Sequence, residues 1–217
     1  MSSAHAIPLP EPAVRAPSTA RCDALIELAA VFDPAVNVAV LRRDALAFDV
    51  SPQLRGCDLR AAVRADGPDL SLFAGHFDGA AATALVDDLR GLIALFADVT
   101  ECGQVGVRMV VTRAAMCPRF HVDHVTLRAA VTYLGPGTEW VDHEAVDRRW
   151  LGRAAAGASD ADSGLLRPGA VIERASTYDV VLLKGTAWPG NEARGAVHRS
   201  PAGDGGLRLL VTLDALG

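Results

Sequence analysis

The chain has 217 residues, a net charge of −5, and a composition that is half hydrophobic and 22% charged. This is the profile of an ordinary globular domain, and its scattered basic residues exclude the dense positive patch of a nucleic-acid or anionic-membrane binder. No run approaches ~20 uninterrupted apolar residues, so no membrane span is expected. The four cysteines, Cys22, Cys57, Cys102 and Cys117, form no CxxC pair, which excludes a zinc ribbon or CxxC redox motif and points to reduced thiols in the cytoplasm.

Residues 1–20 carry four prolines and neither a basic nor a continuous apolar stretch. They are expected to form a disordered lead-in rather than a secretory leader. Residues 21–217 then read as one domain. Its first part, 21–102, is expected to be mostly helical. A short helix over 21–33 ends at Pro34, because the residue before a proline leaves the helical region. A strand follows over 36–41, and a second helical stretch over 42–50 runs up to Ser51-Pro52. The clearest helix spans 79–98, where Leu85, Leu89, Leu92, Ile93 and Phe96 form one apolar stripe and Asp87, Asp88 and Arg90 fall off it.

From about residue 103 the pattern turns β-like. Segments 106–114, 127–134, 138–141, 170–175, 179–185, 195–200 and 207–214 are short and rich in Val, Leu and Thr. Gly/Pro turns separate them, as in a sandwich or small barrel. Residues 152–169 are small, polar and turn-rich, and read as an inserted loop. The class is therefore α+β with a mainly β C-terminal half.

The chemistry concentrates in MCPRFHVDHVTLR, residues 116–128. His121 and Asp123 are two apart, and in an extended segment residues i and i+2 project from one face. His198, 77 residues on in GAVHRSP, is the natural third member. Two His and one carboxylate on one face of an octahedral ion leave positions open, the arrangement of non-haem Fe(II) oxygenases. Two of those positions suit a bidentate 2-oxo acid and the last suits dioxygen. Arg208 offers a rigid fork for a distal carboxylate, and Lys184 is the alternative anchor. Cys117, four residues before His121, opens a competing zinc site of Cys117, His121, Asp123 and His198. His124 should face away from the pair, and His76 and His143 read as structural. Trp140 and Trp188 are candidates for the rim of a substrate pocket, with Asn191 and Glu192 as polar contacts. Arg128 and Arg199 either bind an anionic substrate or form salt bridges.

The elements His121-Val122-Asp123, His198 and Arg208, with the run DVVLLKGTAWPGNEARGAVHRSP, resemble the 2-oxoglutarate- and Fe(II)-dependent oxygenase superfamily. That resemblance implies a double-stranded β-helix (jelly-roll, cupin-like) core with the N-terminal helices packed outside. It also implies Fe(II) held by His121, Asp123 and His198, and 2-oxoglutarate on Arg208. The phrases CPRFHVD, TYLGPGTEW, LLKGTAWPGN and HRSP are similar to a bacterial family known as domain of unknown function 1826, over roughly residues 30–215. That second resemblance implies a family and no reaction. The expectation is a dioxygenase, probing a small-molecule or peptide substrate with no nucleic-acid or membrane partner. Its alternative is a zinc- or iron-binding cupin-like protein of metal handling without turnover. Oligomeric state is not readable.

Overall fold

The computed structural model of the chain describes residues 17–45, 56–152, 157–202 and 205–216. In chain order its strands are β1 (Thr19–Cys22), β2 (Val38–Leu41), β3 (Cys57–Arg64), β4 (Gln104–Thr112), β5 (Leu127–Leu134), β6 (Glu139–Val141), β7 (Ile172–Arg174), β8 (Val180–Lys184), β9 (Val197–Arg199) and β10 (Arg208–Leu216). Two α-helices, α1 (Ser71–Ala74) and α2 (Gly79–Thr100), lie between β3 and β4. The large sheet has the order β1-β2-β8-β5-β10-β4-β3, and the small one β7-β6-β9. His121 adds a one-residue antiparallel bridge to His198 at the free edge of β9.

From β4 onward the chain alternates between the two sheets. It passes from β4 to the His121 bridge, then through β5, β6 and β7, β8, β9 and β10. The result is two layers, the strands β4-β10-β5-β8 over the three strands β9-β6-β7 with the His121 bridge at their edge, which is a double-stranded β-helix of the jelly-roll kind. β1 and β2 extend the large layer beyond β8, and β3 extends it beyond β4. No helix among the described residues is long and apolar enough to cross a membrane.

Strand pleating decides which side chains reach the site, because successive residues point to opposite faces. On β5, Leu127, Ala129, Val131 and Tyr133 join the large core cluster, as do Leu209, Val211 and Leu213 of β10. Helix α2 covers that face with buried Leu85, Leu89, Leu92, Ile93 and Phe96. Each such side chain contributes roughly 2 kcal/mol by leaving water. The intervening residues Arg128 and Ala130 of β5 and Arg208, Leu210, Thr212 and Asp214 of β10 turn the other way and line a cavity between the sheets.

The first part of the domain departs from its expected helical character. Residues 21–33 divide into the end of β1 and a 3-10 helix, Leu25–Phe32. Thr19 and Ala20 belong to β1, which pairs in parallel with β2. The expected disorder of residues 1–16 and helix over 46–50 lie outside the described residues, and 42–45 form no regular element. β3 is a strand with no sequence expectation behind it. Its exposed face carries Asp58, Arg60 and Arg64, so it lacks the apolar content of a buried strand. Within 152–169, residues 153–156 are outside the described set, and the remainder holds a bridge between Leu166 and Val146 but no strand.

Candidate metal centre

His121 and His198 are a hydrogen-bonded pair across the small sheet, each amide donating to the other's carbonyl at 3.0 Å. Directly paired residues project to the same face with close Cβ atoms, and the two imidazole centroids lie 4.5 Å apart. Trp140 is the next member of this row, paired with His198 on β6. Each imidazole is oriented by its own backbone: His121 Nδ1 lies 2.9 Å from the Arg119 carbonyl and His198 Nδ1 lies 3.0 Å from that of Ala196. A carbonyl can only accept, so Nδ1 carries a proton; Nε2 is then the nitrogen that faces Asp123, donating to it when protonated and offering its lone pair to a metal once that proton is released.

Asp123 is not on the same strand as His121, contrary to the i, i+2 expectation. Only His121 is bridged, and 122–126 form a loop. The loop is held from β8's end, where Gly185, Thr186 and Ala187 donate to Thr126, Asp123 and Val125 carbonyls at 3.0, 3.0 and 3.1 Å. Gly185 is required there because a Cβ would collide with the Val125 carbonyl. Gly185→Ala is therefore expected to displace the Asp123 loop and destabilise the fold by ~1–3 kcal/mol. Thermal unfolding and Fe(II) affinity measured together should both fall; a variant matching the parent in both would show that the loop tolerates the methyl.

So held, Asp123 places Oδ1 at 3.4 Å from His121 Nε2 and Oδ2 at 3.3 Å from His198 Nε2. The ligand atoms of His121, Asp123 and His198 all lie within 4.8 Å of one another. Burial works to raise the Asp123 carboxyl, but hydrogen bonds from His121 and His198 overcome it and hold the group well below the usual carboxylate range. Burial likewise lowers the His121 imidazole, but its hydrogen bonds to the Asp123 carboxylate and to the Arg119 carbonyl reverse this and leave it above its ordinary value. Arg128 also donates to Asp123 Oδ2, and its Nε and Nη2 form a bidentate pair with Asp214 at 2.8 Å each. The donor set is thus two imidazole nitrogens and a carboxylate fixed by its neighbours. It fits a divalent ion of the non-haem iron type.

Arg208 faces the same cavity from β10. A β-bulge between Leu209 and Leu210 lies at its base, and Gly135, at φ +81°, lets the chain pass within contact of the Arg208 backbone. The side chain is buried, with Nε donating to the Pro136 carbonyl at 2.8 Å and Nη2 lying 3.2 and 3.3 Å from the Thr132 and Thr138 hydroxyls. No carboxylate among the described residues pairs with it, and burial alone lowers its pKa to about 10. A buried cation without a counter-charge is costly, and it is also a prepared anion site.

The cavity, about 430 Å³, is lined by His121, His198, Arg208, Arg128, Arg199 and Cys117 among others. Lys184 is not part of it. Leu183 faces the cavity, so the next residue faces away. Its ammonium donates to the Asp33 carbonyl at 3.0 Å and lies 5.0 Å from the Trp188 ring centre. The tryptophans and Asn191 are likewise placed elsewhere. Trp140 is fully buried, with Nε1 donating to Thr19 Oγ1, and Trp188 packs on Phe32. Asn191 is buried and donates to the Gly185 carbonyl, while the Glu192 carboxylate accepts from the Gly190 amide. Cys117 shares the cavity but is outside the three-residue ligand cluster, its backbone paired with Ser200. His124 turns to Thr186 Oγ1. Arg199 is already engaged by Glu139 and Asp160.

Asp214 and Thr132, whose only signal was strand parity with Arg208 and Arg128, were not assigned to the site from the sequence, nor was Thr138, which lies just before β6. Asp160 was missed as well. This buried carboxylate accepts from the Phe120 amide at 3.0 Å and from Arg199 at 2.9 Å, tying the residue before His121 to the residue after His198.

A family model described as a protein of unknown function (DUF1826) matches residues 23–214. No curated protein matches the chain in sequence. Among solved structures the chain is similar to dioxygenase for auxin oxidation 1 from Arabidopsis thaliana in a binary complex with 2-oxoglutarate, at 13% identity and TM-score 0.47, over 81% of this chain and 66% of that one. It is similar to the rice dioxygenase for auxin oxidation at 14% identity and TM-score 0.39, over 74% and 56%. It is also similar to an oxidoreductase of the 2OG-Fe(II) oxygenase family from Burkholderia pseudomallei, at 11% identity and TM-score 0.42, over 90% and 93%. The chain thus spans between half and two-thirds of the length of the two auxin dioxygenases.

Proposed function

The chain belongs to the DUF1826 family, and on that premise we propose that it is a non-haem Fe(II)- and 2-oxoglutarate-dependent dioxygenase of the hydroxylase type. The observation that carries the reading is the presence, in one cavity, of a preorganised His₂–Asp donor set and a buried guanidinium with no counter-charge among the described residues. A dicarboxylate cosubstrate has the two ends such a cavity asks for: a 2-oxo acid end that chelates a metal and a distal carboxylate that needs a fixed cation.

His121 and His198 would hold the ion through Nε2, with Asp123 as the anionic ligand. The bound ion supplies the Lewis-acid and redox chemistry with dioxygen that oxidation of the 2-oxo acid accompanies. Arg128, itself held by a bidentate pair with Asp214, would orient the Asp123 carboxylate and favour its ionised form, as outer partners of a metal ligand do. Arg208, flanked by the Thr132 and Thr138 hydroxyls, would hold the distal carboxylate. Ala130, Leu183 and Leu210 give the cavity a dry wall. A zinc-holding protein of metal handling is the weaker reading: the three gathered donors include no thiolate, and it leaves the buried charge of Arg208 without a purpose.

The test is an anaerobic titration of the metal-free protein with Fe(II), then with 2-oxoglutarate. The expected result is a visible charge-transfer band at a single equivalent of iron that decays in air as succinate appears. Iron bound without that band would end the dioxygenase reading.

A further inference from the structure

The cavity runs on past the metal centre to the β3 side of the large sheet, where two arginines line it that the reading above does not use. Arg60 of β3 and Arg108 of β4 are directly paired, in a row that continues to Thr212 of β10 and Ala130 of β5. Like charges directly opposite on adjacent strands repel. Only Asp58, two residues before Arg60 on the same face, separates them. It accepts a bidentate pair from Arg108 at 2.8 Å in both contacts and longer bonds from Arg60 at 3.3 and 3.2 Å. One carboxylate therefore serves two guanidiniums, and among the described residues one positive charge is unmatched.

The inner cavity has no such surplus. Arg128 faces Asp123 and Asp214, and Arg199 faces Glu139 and Asp160. With a divalent ion on Asp123 and a dicarboxylate on Arg208, the charges of Arg128, Arg208, Asp123 and Asp214 cancel. The excess thus sits at the mouth, in a chain whose overall charge is −5, and a cleft lined by one sign of charge concentrates ligands of the other. Between mouth and centre the next row is Ala62, Gly106, Asp214 and Arg128. Its first two members have almost no side chain, and Leu216 lies beside them as an apolar wall. β3 and β5 are three strand spacings apart, about 14 Å between backbones.

We infer that the primary substrate is a small organic monocarboxylate, its carboxylate held at the mouth by Arg60 and Arg108 and its uncharged body lying over Ala62 and Gly106 toward the metal centre. A single surplus charge matches a carboxylate and would be exceeded by a phosphate dianion. This rests on the dioxygenase reading for the identity of the centre, but the anion subsite itself is tested separately.

The probe is hexanoate against uncharged hexanamide, titrated calorimetrically into Zn(II)-loaded protein with saturating 2-oxoglutarate so that Arg208 is occupied. Hexanoate is expected to bind at least about tenfold more tightly than hexanamide, and less tightly as salt is raised. Asp58→Asn, which frees both guanidiniums, is expected to tighten hexanoate binding several-fold. Arg60→Gln combined with Arg108→Gln is expected to reduce it to the hexanamide level. Equal binding of the two probes, no hexanoate binding, or hexanoate binding that survives the double substitution overturns the proposal. The two readings fail separately. Discrimination that follows Asp58, Arg60 and Arg108 without a charge-transfer band would sink the dioxygenase and keep the anion subsite, and a band without discrimination would do the reverse.

Discussion

Asp123→Ala is expected to abolish Fe(II) binding while leaving both sheets in place. Asp123 lies on a loop and contributes to no strand pairing, so its side chain can be removed without breaking a ladder. Its partner Arg128 keeps the bidentate pair with Asp214, so no buried cation is left without a counter-charge. The metal set, however, loses its only anion. Substitutions in the shell around metal ligands cost ~10–100-fold in affinity, and loss of a ligand itself should cost more than ~100-fold. Anaerobic titration gives the stoichiometry and circular dichroism the fold. Unchanged iron content would remove Asp123 from the centre. A pH arm adds a signed expectation for the metal-free protein. Asp123 is held below its unfolded pKa, so its stabilising contribution is present above the ordinary carboxylate range and lost as pH falls. The melting temperature of the variant should lie below the parent's at neutral pH, and the gap should narrow on acidification.

What the sequence disclosed follows from which physical signals survive without tertiary context. The α2 stripe from Leu85 to Phe96 was legible because one apolar face on a helix is periodic in itself, and β5 was legible because 127–134 is apolar between turn signals. β3 was not, because its alternation is between a partly buried face of Cys57, Leu59 and Ala61 and a charged one. The phase of β8 was also unreadable: VVLLK is buried throughout, so nothing in the residue types says that Leu183 rather than Lys184 faces the cavity. His121, Asp123 and His198 were identifiable by chemistry, yet the geometric reason for their meeting was different. The imidazoles meet through a cross-strand bridge between residues 77 apart, and the carboxylate reaches them from a loop pinned by Gly185. Likewise Arg208 was visible as a fork on a strand, but its lack of a carboxylate partner among the described residues is a fact of packing.

That lack of a partner makes Arg208→Met the most discriminating substitution, because it is expected to move stability and binding in opposite directions. In the cosubstrate-free protein the guanidinium is buried against a carbonyl and two hydroxyls, with burial alone depressing its pKa. Exchanging a poorly compensated buried charge for an apolar side chain of similar length is commonly neutral or stabilising by ~1–4 kcal/mol. The melting temperature of the free variant should therefore equal or exceed the parent's. The cosubstrate loses a buried charge-assisted pair, worth ~2–5 kcal/mol when one partner is truncated, which corresponds to a rise of ~30-fold or more in the 2-oxoglutarate concentration needed to form the charge-transfer band. Fe(II) affinity without cosubstrate should stay near the parent value, since Arg208 contacts none of the three ligands. Arg208→Lys keeps the charge but not the planar fork, and should fall between the two. A variant that is less stable and binds 2-oxoglutarate as before would make Arg208 a structural strut for the 135–138 turn. A more stable variant that no longer retains 2-oxoglutarate would mean that the fold accepts the cost of a buried charge for the sake of the anion it holds.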